Sequence, residues 1–175
     1  FEVDLHRTLT PGPFGELVPL AELHTHAVPV RVHGRWYRAL CPTHRFLHAC
    51  LHTVLGSPEP RLHSVRDLVA SAPRTPTGAA DVVETAADWG VIAVVQRAAT
   101  MAETTFPGGF TPELVDAIGS ARPRRREALY LAAYHRRRWS YSLPAAVTVA
   151  ALPWWRDRWD FVTAHLRQRR SHEAQ

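Results

Sequence analysis

No lysine occurs in this chain, and all 21 basic residues are arginine. Together with the alanine, proline and tryptophan content, this fits coding from GC-rich DNA, so the arginine count is not a count of sites that need a guanidinium. Cysteine is nearly absent: Cys41 and Cys50 are the whole complement. Both sit in apolar sequence, where a reduced core thiol is the default, and neither belongs to a Cys-x-x-Cys pair. Long apolar runs are also missing. The longest, residues 143–155, spans thirteen residues and is broken by Pro144 and Pro153. A membrane helix needs about 20, so no transmembrane segment is expected. No basic segment followed by an apolar one opens the chain, and the cytoplasm is the expected compartment. Gly-x-Gly-x-x-Gly, the Walker loop and the Gly-x-Ser-x-Gly elbow are absent as well, which leaves nucleophilic catalysis without support.

What the chain does have is a core-forming composition, 46% hydrophobic over 175 residues, enough for one domain of ordinary size or a small mixed unit with a helical extension. Charge is divided unevenly. Residues 1–120 carry nine arginines against twelve acids, whereas residues 121–175 carry twelve arginines against four. The basic C-terminal part admits a polyanion such as nucleic acid, or an acidic protein face. Solvated helix faces account for it equally well. The first residue is Phe1, set directly in a strand-like pattern, and the natural protein is expected to start upstream.

Residues 1–9 alternate Val3 and Leu5 against Glu2, Asp4 and His6, the period of a half-buried strand. A Thr-Pro-Gly-Pro turn follows. Residues 17–23 suit a short helix, and residues 28–32 and 36–40, separated by His33-Gly34-Arg35, suit a β-hairpin pairing beside the first strand. From Pro42 the period changes to 3.6: Phe46, Leu47, Cys50, Leu51, Val54 and Leu55 share one side, with Thr43 placed to cap the helix. Further helices are expected at 61–71, 79–89, 91–101, from Thr111-Pro112-Glu113, and at 124–139, 144–151 and 154–170. Residues 73–78 read as a loop, and residues 106–110 as a loop and candidate linker. The expected class is α+β, about three N-terminal strands followed by a mainly helical region. The expected division is 1–41, 42–105 and an Arg-rich helical extension at 106–175.

His44, His48 and His52 recur at every fourth residue. On a helix the outer two are about 12 Å apart along the axis, so one zinc ion with bonds near 2.0 Å cannot take all three. A two-histidine site would need an acidic ligand brought in from elsewhere, since Arg45 stands where His-Glu-x-x-His has its glutamate. No zinc site is expected from these residues. Arg and His with four to six residues between them, the loose mark of some helical ribonucleases, occur at Arg38 and His44, Arg158 and His165, and Arg167 and His172, about as often as chance supplies. The clusters Arg122–Arg126 and Arg136–Arg138, with Tyr130, Tyr134 and Trp139 interleaved, could hold a phosphate chain while a ring stacks on a base; an amphipathic helix with solvated ends is the plainer alternative. Trp154, Trp155 and Trp159 read as core or partner-helix packing.

Two stretches together carry a family resemblance. One is Val3-Asp4-Leu5-His6, a hydrophobic-acid-hydrophobic triplet followed by histidine. The other runs over residues 39–68, with A-L-C-P-T-H-R-F-L-H-A-C-L-H and then R-L-H-S-V-R-D-L. Over roughly residues 1–105 the chain resembles uncharacterised bacterial nucleotidyltransferases of the polymerase-β type. The resemblance implies a small mixed sheet carrying a helical part. It also implies three carboxylates that gather two Mg²⁺ ions, which neutralise the triphosphate and activate an acceptor hydroxyl for in-line transfer. Asp4 matches the third carboxylate and is the implied catalytic residue and metal ligand. His48, His52, Arg66 and Asp67 are the implied substrate-binding residues. A Gly-Ser helix start followed by a carboxylate pair has no counterpart here, so this chain alone is expected to be inactive. The function expected is that of the C-terminal part of an enzyme transferring NMP from an NTP to an unknown acceptor. The alternative is a non-catalytic helical module for nucleic acid or an acidic partner.

Overall fold

The computed structural model describes residues 9–10, 13–56 and 61–135, and beyond them positions 149, 150, 155, 158, 159 and 162. Proline placement governs the first elements. In place of one helix over 17–23, the chain forms α1 (Pro13–Leu17) and α2 (Leu20–Thr25). Pro19 separates them, because a proline ring disfavours helical geometry at the residue before it and suits the extended N-cap it occupies here. Phe14, Val18 and Leu23 are buried.

The hairpin consists of β1 (Val28–Val32) and β2 (Arg35–Ala39), antiparallel with Val28 opposite Ala39 and Val32 opposite Arg35. Its two-residue turn places His33 at φ 48° and Gly34 at φ 82°, both in the left-handed range that matches strand twist in a tight hairpin. Most of its side chains face solvent; Trp36 is 69% exposed. Arg38 ties it to the body by donating to the carbonyls of His24 at 3.0 Å and Ala27 at 2.9 Å. Among the described residues β1 pairs with β2 alone. The expected strand over 1–9, including Asp4, lies outside the described residues, apart from Leu9.

The helices form one buried assembly around α3 (Pro42–Leu55), which packs against α4 (Leu62–Ser71), α5 (Pro76–Trp89) and α6 (Ile92–Thr105). The expected apolar stripe is the buried one: Phe46, Leu47, Cys50, Leu51, Val54 and Leu55. Burial pushes the Cys50 thiol far above its ordinary pKa. The helix starts one residue before the expected cap. Cys41 is the N-cap and Pro42 stands in the first turn, where its missing N–H leaves no bond unmade. α5 likewise starts at Pro76, inside the expected loop, because the Thr75 hydroxyl accepts from Gly78 N at 3.1 Å. Gly90 ends α5 at φ 67°, a conformation that favours glycine.

Residues 106–110 are held closely. The Glu103 carboxylate accepts from the backbone of Gly108 at 3.1 Å and Phe110 at 3.2 Å, and Phe110 meets Phe46 edge to face at 5.7 Å between ring centres. Beyond them, α7 (Pro112–Ser120) and α8 (Arg125–His135) bring Leu114, Ile118 and Tyr134 into the same core. The Gln96 amide donates to the carbonyls of Ile118 and Ala121, fixing the end of α7 on α6. Glu127, 1% exposed, accepts from Ala93 N at 2.9 Å and Arg124 N at 3.0 Å, so one carboxylate serves the N-termini of both α6 and α8. Among the described residues no helix is long and apolar enough to cross a membrane.

Candidate functional site

Three elements meet at the start of α3. α2 supplies Glu22 from its first turn and His26 as its C-cap residue, the first turn of α3 supplies His44, and the last residue of α5 is Trp89. His44 lies 3% exposed, with Nε2 3.4 Å from Glu22 Oε1. Its ring makes an edge contact with His26 at 5.6 Å and a tilted one with Trp89 at 5.1 Å. Trp89 Nε1 donates to the Glu22 carboxylate, 3.3 Å from each oxygen. His26 Nδ1 lies 3.1 Å from the backbone carbonyl oxygen of Glu22, an acceptor that requires the proton on Nδ1 and leaves Nε2 bare in the neutral ring.

His44 is poorly satisfied for a buried polar side chain. One ring nitrogen makes the long contact to Glu22, and the other, Nδ1, has no hydrogen-bond partner among the described residues. Leaving a buried polar atom unpaired costs about 1 to 3 kcal/mol. Burial holds this imidazole below the ordinary histidine pKa of 6.5; Glu22 pulls it upward and His26 presses it further down.

Glu22, His26 and His44 each offer a ligand atom, all within 4.8 Å of one another. The donor set is two imidazole nitrogens and one carboxylate. Mg²⁺ takes near-octahedral oxygen ligands, so this group does not fit it, and no step of nucleotidyl transfer is routed through these three residues.

The residues singled out from sequence are distributed otherwise. Asp4 lies outside the described residues. His48 and His52 follow one another on α3, with ring centres 6.3 Å apart, His48 partly buried and His52 exposed. The triplet is thus divided, His44 turning to Glu22 and His26 instead of to its neighbours. Arg66 and Asp67 sit on the exposed side of α4 and pair with each other, Nη2 to Oδ1 at 2.7 Å, with side chains 69% and 60% exposed. They do not anchor α4 to the hairpin. A groove of about 380 Å³ between α4 and α6 is lined by Val65, Arg97, Thr100 and Met101, and by none of the four substrate-binding candidates.

In the basic region Arg122, Arg124, Arg125 and Arg126 are exposed. Their aromatic neighbours are engaged elsewhere: Tyr130 meets Phe14 edge to face at 6.0 Å, and the buried Tyr134 hydroxyl donates to the carbonyl of Leu55. The buried Tyr134 ring is not placed to stack on a base, while Tyr130 is partly exposed. Trp155 and Trp159 are exposed and not part of the core, while Trp139, Trp154 and Arg136–Arg138 lie outside the described residues. Sequence reasoning missed Glu22, His26 and Trp89. Glu22 and His26 stand four apart, a spacing that puts two ligands on one side of a helix, but a single turn of helix gave no cue that His44 would meet them.

A small helical assembly carrying a two-stranded hairpin and a histidine-carboxylate cluster defines an α+β protein. The family described as uncharacterised nucleotidyltransferase matches residues 1–107, and the chain belongs to it. No curated protein and no solved structure matches the chain.

Proposed function

We propose that the chain is the C-terminal part of a nucleotidyltransferase that moves NMP from an NTP to an acceptor hydroxyl or other nucleophile on a small molecule, sugar, antibiotic or protein, releasing pyrophosphate. Family membership over residues 1–107 carries the proposal, since Asp4, His48, His52, Arg66 and Asp67 all fall inside the matched span. In this reading Asp4 helps hold Mg²⁺, the ion that neutralises triphosphate charge in this chemistry. A lone carboxylate does not hold Mg²⁺ by itself, so this reading needs further oxygen ligands beside Asp4. His48 and His52 would contact the substrate from α3, and the Arg66 guanidinium, released from Asp67, would meet a phosphate oxygen. Fold class alone names no acceptor.

The exposed run Arg122, Arg124, Arg125 and Arg126 favours a second reading, a module that docks on a polyanion without catalysis. One experiment separates the two. The protein as encoded in full is incubated with each NTP labelled on the α-phosphate, with and without Mg²⁺, beside a titration of single- and double-stranded nucleic acid. Mg²⁺-dependent label transfer with pyrophosphate release is the expected result. Salt-sensitive nucleic-acid binding with no NTP turnover, lost when the four arginines become alanine, would replace it with the second reading.

A further inference from the structure

The described part of the molecule holds one group of side chains whose chemistry the nucleotidyl-transfer reading does not use. We propose that Glu22, His26 and His44 form a binding site for a divalent transition-metal ion of the zinc class, distinct from the Mg²⁺ site assigned to Asp4.

Four observations bear on it. The three ligand atoms already lie within 4.8 Å of one another, although α2 with its cap and α3 supply them, with the whole hairpin between His26 and His44. Zinc bonds of about 2.0 to 2.1 Å set tetrahedral ligand atoms about 3.3 to 3.5 Å apart, so the group closes by a little over 1 Å at its widest, within the reach of the exposed His26 side chain. His44 is 3% exposed, with one nitrogen unpartnered among the described residues and the other in a 3.4 Å contact, an arrangement that a proton alone satisfies poorly. The surroundings also orient the ligands as metal sites do. The carbonyl of residue 22 fixes the His26 tautomer with Nε2 bare, and Trp89 Nε1 holds the Glu22 carboxylate. Finally, two imidazoles and one carboxylate make a set preferred by zinc-class ions over Mg²⁺ or Ca²⁺. Three protein ligands leave a fourth position, and the exposure of His26 gives that position access to solvent. The ion would join the end of α2 to the start of α3.

The expectation of no zinc site weighed His44 only with His48 and His52, and that combination remains excluded by their spacing. The acidic partner such a site needs arrives from α2.

Co²⁺ is a probe whose visible absorption reports ligand number and geometry. Titrated into the chelator-treated protein, it should bind at one equivalent per chain with a tetrahedral or five-coordinate spectrum, and Zn²⁺ should displace it. His26→Gln, at an exposed position whose side chain otherwise makes, among the described residues, only the edge contact with His44 and the bond to the Glu22 carbonyl, should weaken binding by more than about 100-fold, and Trp89→Phe by about 10- to 100-fold. His63→Gln, exposed on α4, should leave it unchanged. His44→Gln should abolish binding, but because that side chain is buried, the His26→Gln result decides if it misfolds. No binding by the folded protein at micromolar Co²⁺ or Zn²⁺ would overturn the proposal. So would binding that survives His26→Gln and is lost with His48→Gln and His52→Gln. Neither outcome touches the transferase reading, which rests on family membership over residues 1–107.

Discussion

His44 shows at the scale of a residue how context decides chemistry. Its place in a periodic triplet suggested a shared role with His48 and His52, yet helix geometry separates the three and tertiary packing delivers His44 to Glu22, His26 and Trp89. Burial lowers its pKa against the pull of Glu22. The folded state therefore binds the His44 proton less readily than the unfolded chain does. Its contribution is fully present above the unfolded value, about 6.5, and is lost as pH falls from there toward the lower folded value. In chelator-treated protein, the urea midpoint of the wild type should fall more steeply between about pH 7.5 and 5.5 than that of His44→Gln. Equal slopes for the two proteins would show that His44 does not titrate differently on folding. Asp67 offers the contrasting case. Its carboxylate pairs with Arg66 in solvent, and exposed pairs contribute about 0 to 1 kcal/mol. Asp67→Ala should leave the melting curve nearly unchanged; a drop of several degrees would mean that the pair bears on packing after all.

At the scale of elements, apolar periodicity located α3 and its buried stripe, and the hairpin followed from a glycine turn between two alternating segments. Helix starts were less legible, and for one reason. Thr111-Pro112-Glu113 marks a helix start in the sequence, but the same Thr75-Pro76 signal lies within a Pro- and Gly-containing stretch and reads as loop. At Cys41-Pro42 the proline outranked the threonine beside it. Glu127 was illegible for another reason. An acid in a run of arginines looks solvated, yet it is buried where the N-termini of α6 and α8 converge. Glu127→Ala strips both backbone donors of their acceptor and should cost about 2 to 4 kcal/mol, read as a lower denaturant midpoint at unchanged slope. Glu127→Gln retains one acceptor oxygen and should cost less. Equal stability of all three proteins would contradict the dual-cap role.

Across the whole molecule, α3 and α6 are the common floor on which α4, α5, α7 and α8 rest, and the hairpin projects from one end of it. The family match ends at residue 107, but Phe110, Leu114, Ile118 and Tyr134 enter the same core as Phe46 and Leu55. The later helices thus stabilise the matched segment, whatever else their arginines contact. The class of the fold and the family were within reach of the sequence because both rest on local pattern. The histidine-carboxylate cluster was not, since it depends on how α2 folds back over α3.

Asp4 carries the functional account. In the protein as encoded in full, Asp4→Asn keeps the side chain's size and removes the charge proposed to help hold Mg²⁺. The decisive measurement is Mg²⁺-dependent NMP transfer by the wild type and by this variant, with circular dichroism showing both folded. The account expects a loss of roughly three orders of magnitude or more in kcat/KM for Asp4→Asn, about 4 kcal/mol of transition-state stabilisation. Undiminished Mg²⁺-dependent transfer by the folded variant would contradict it.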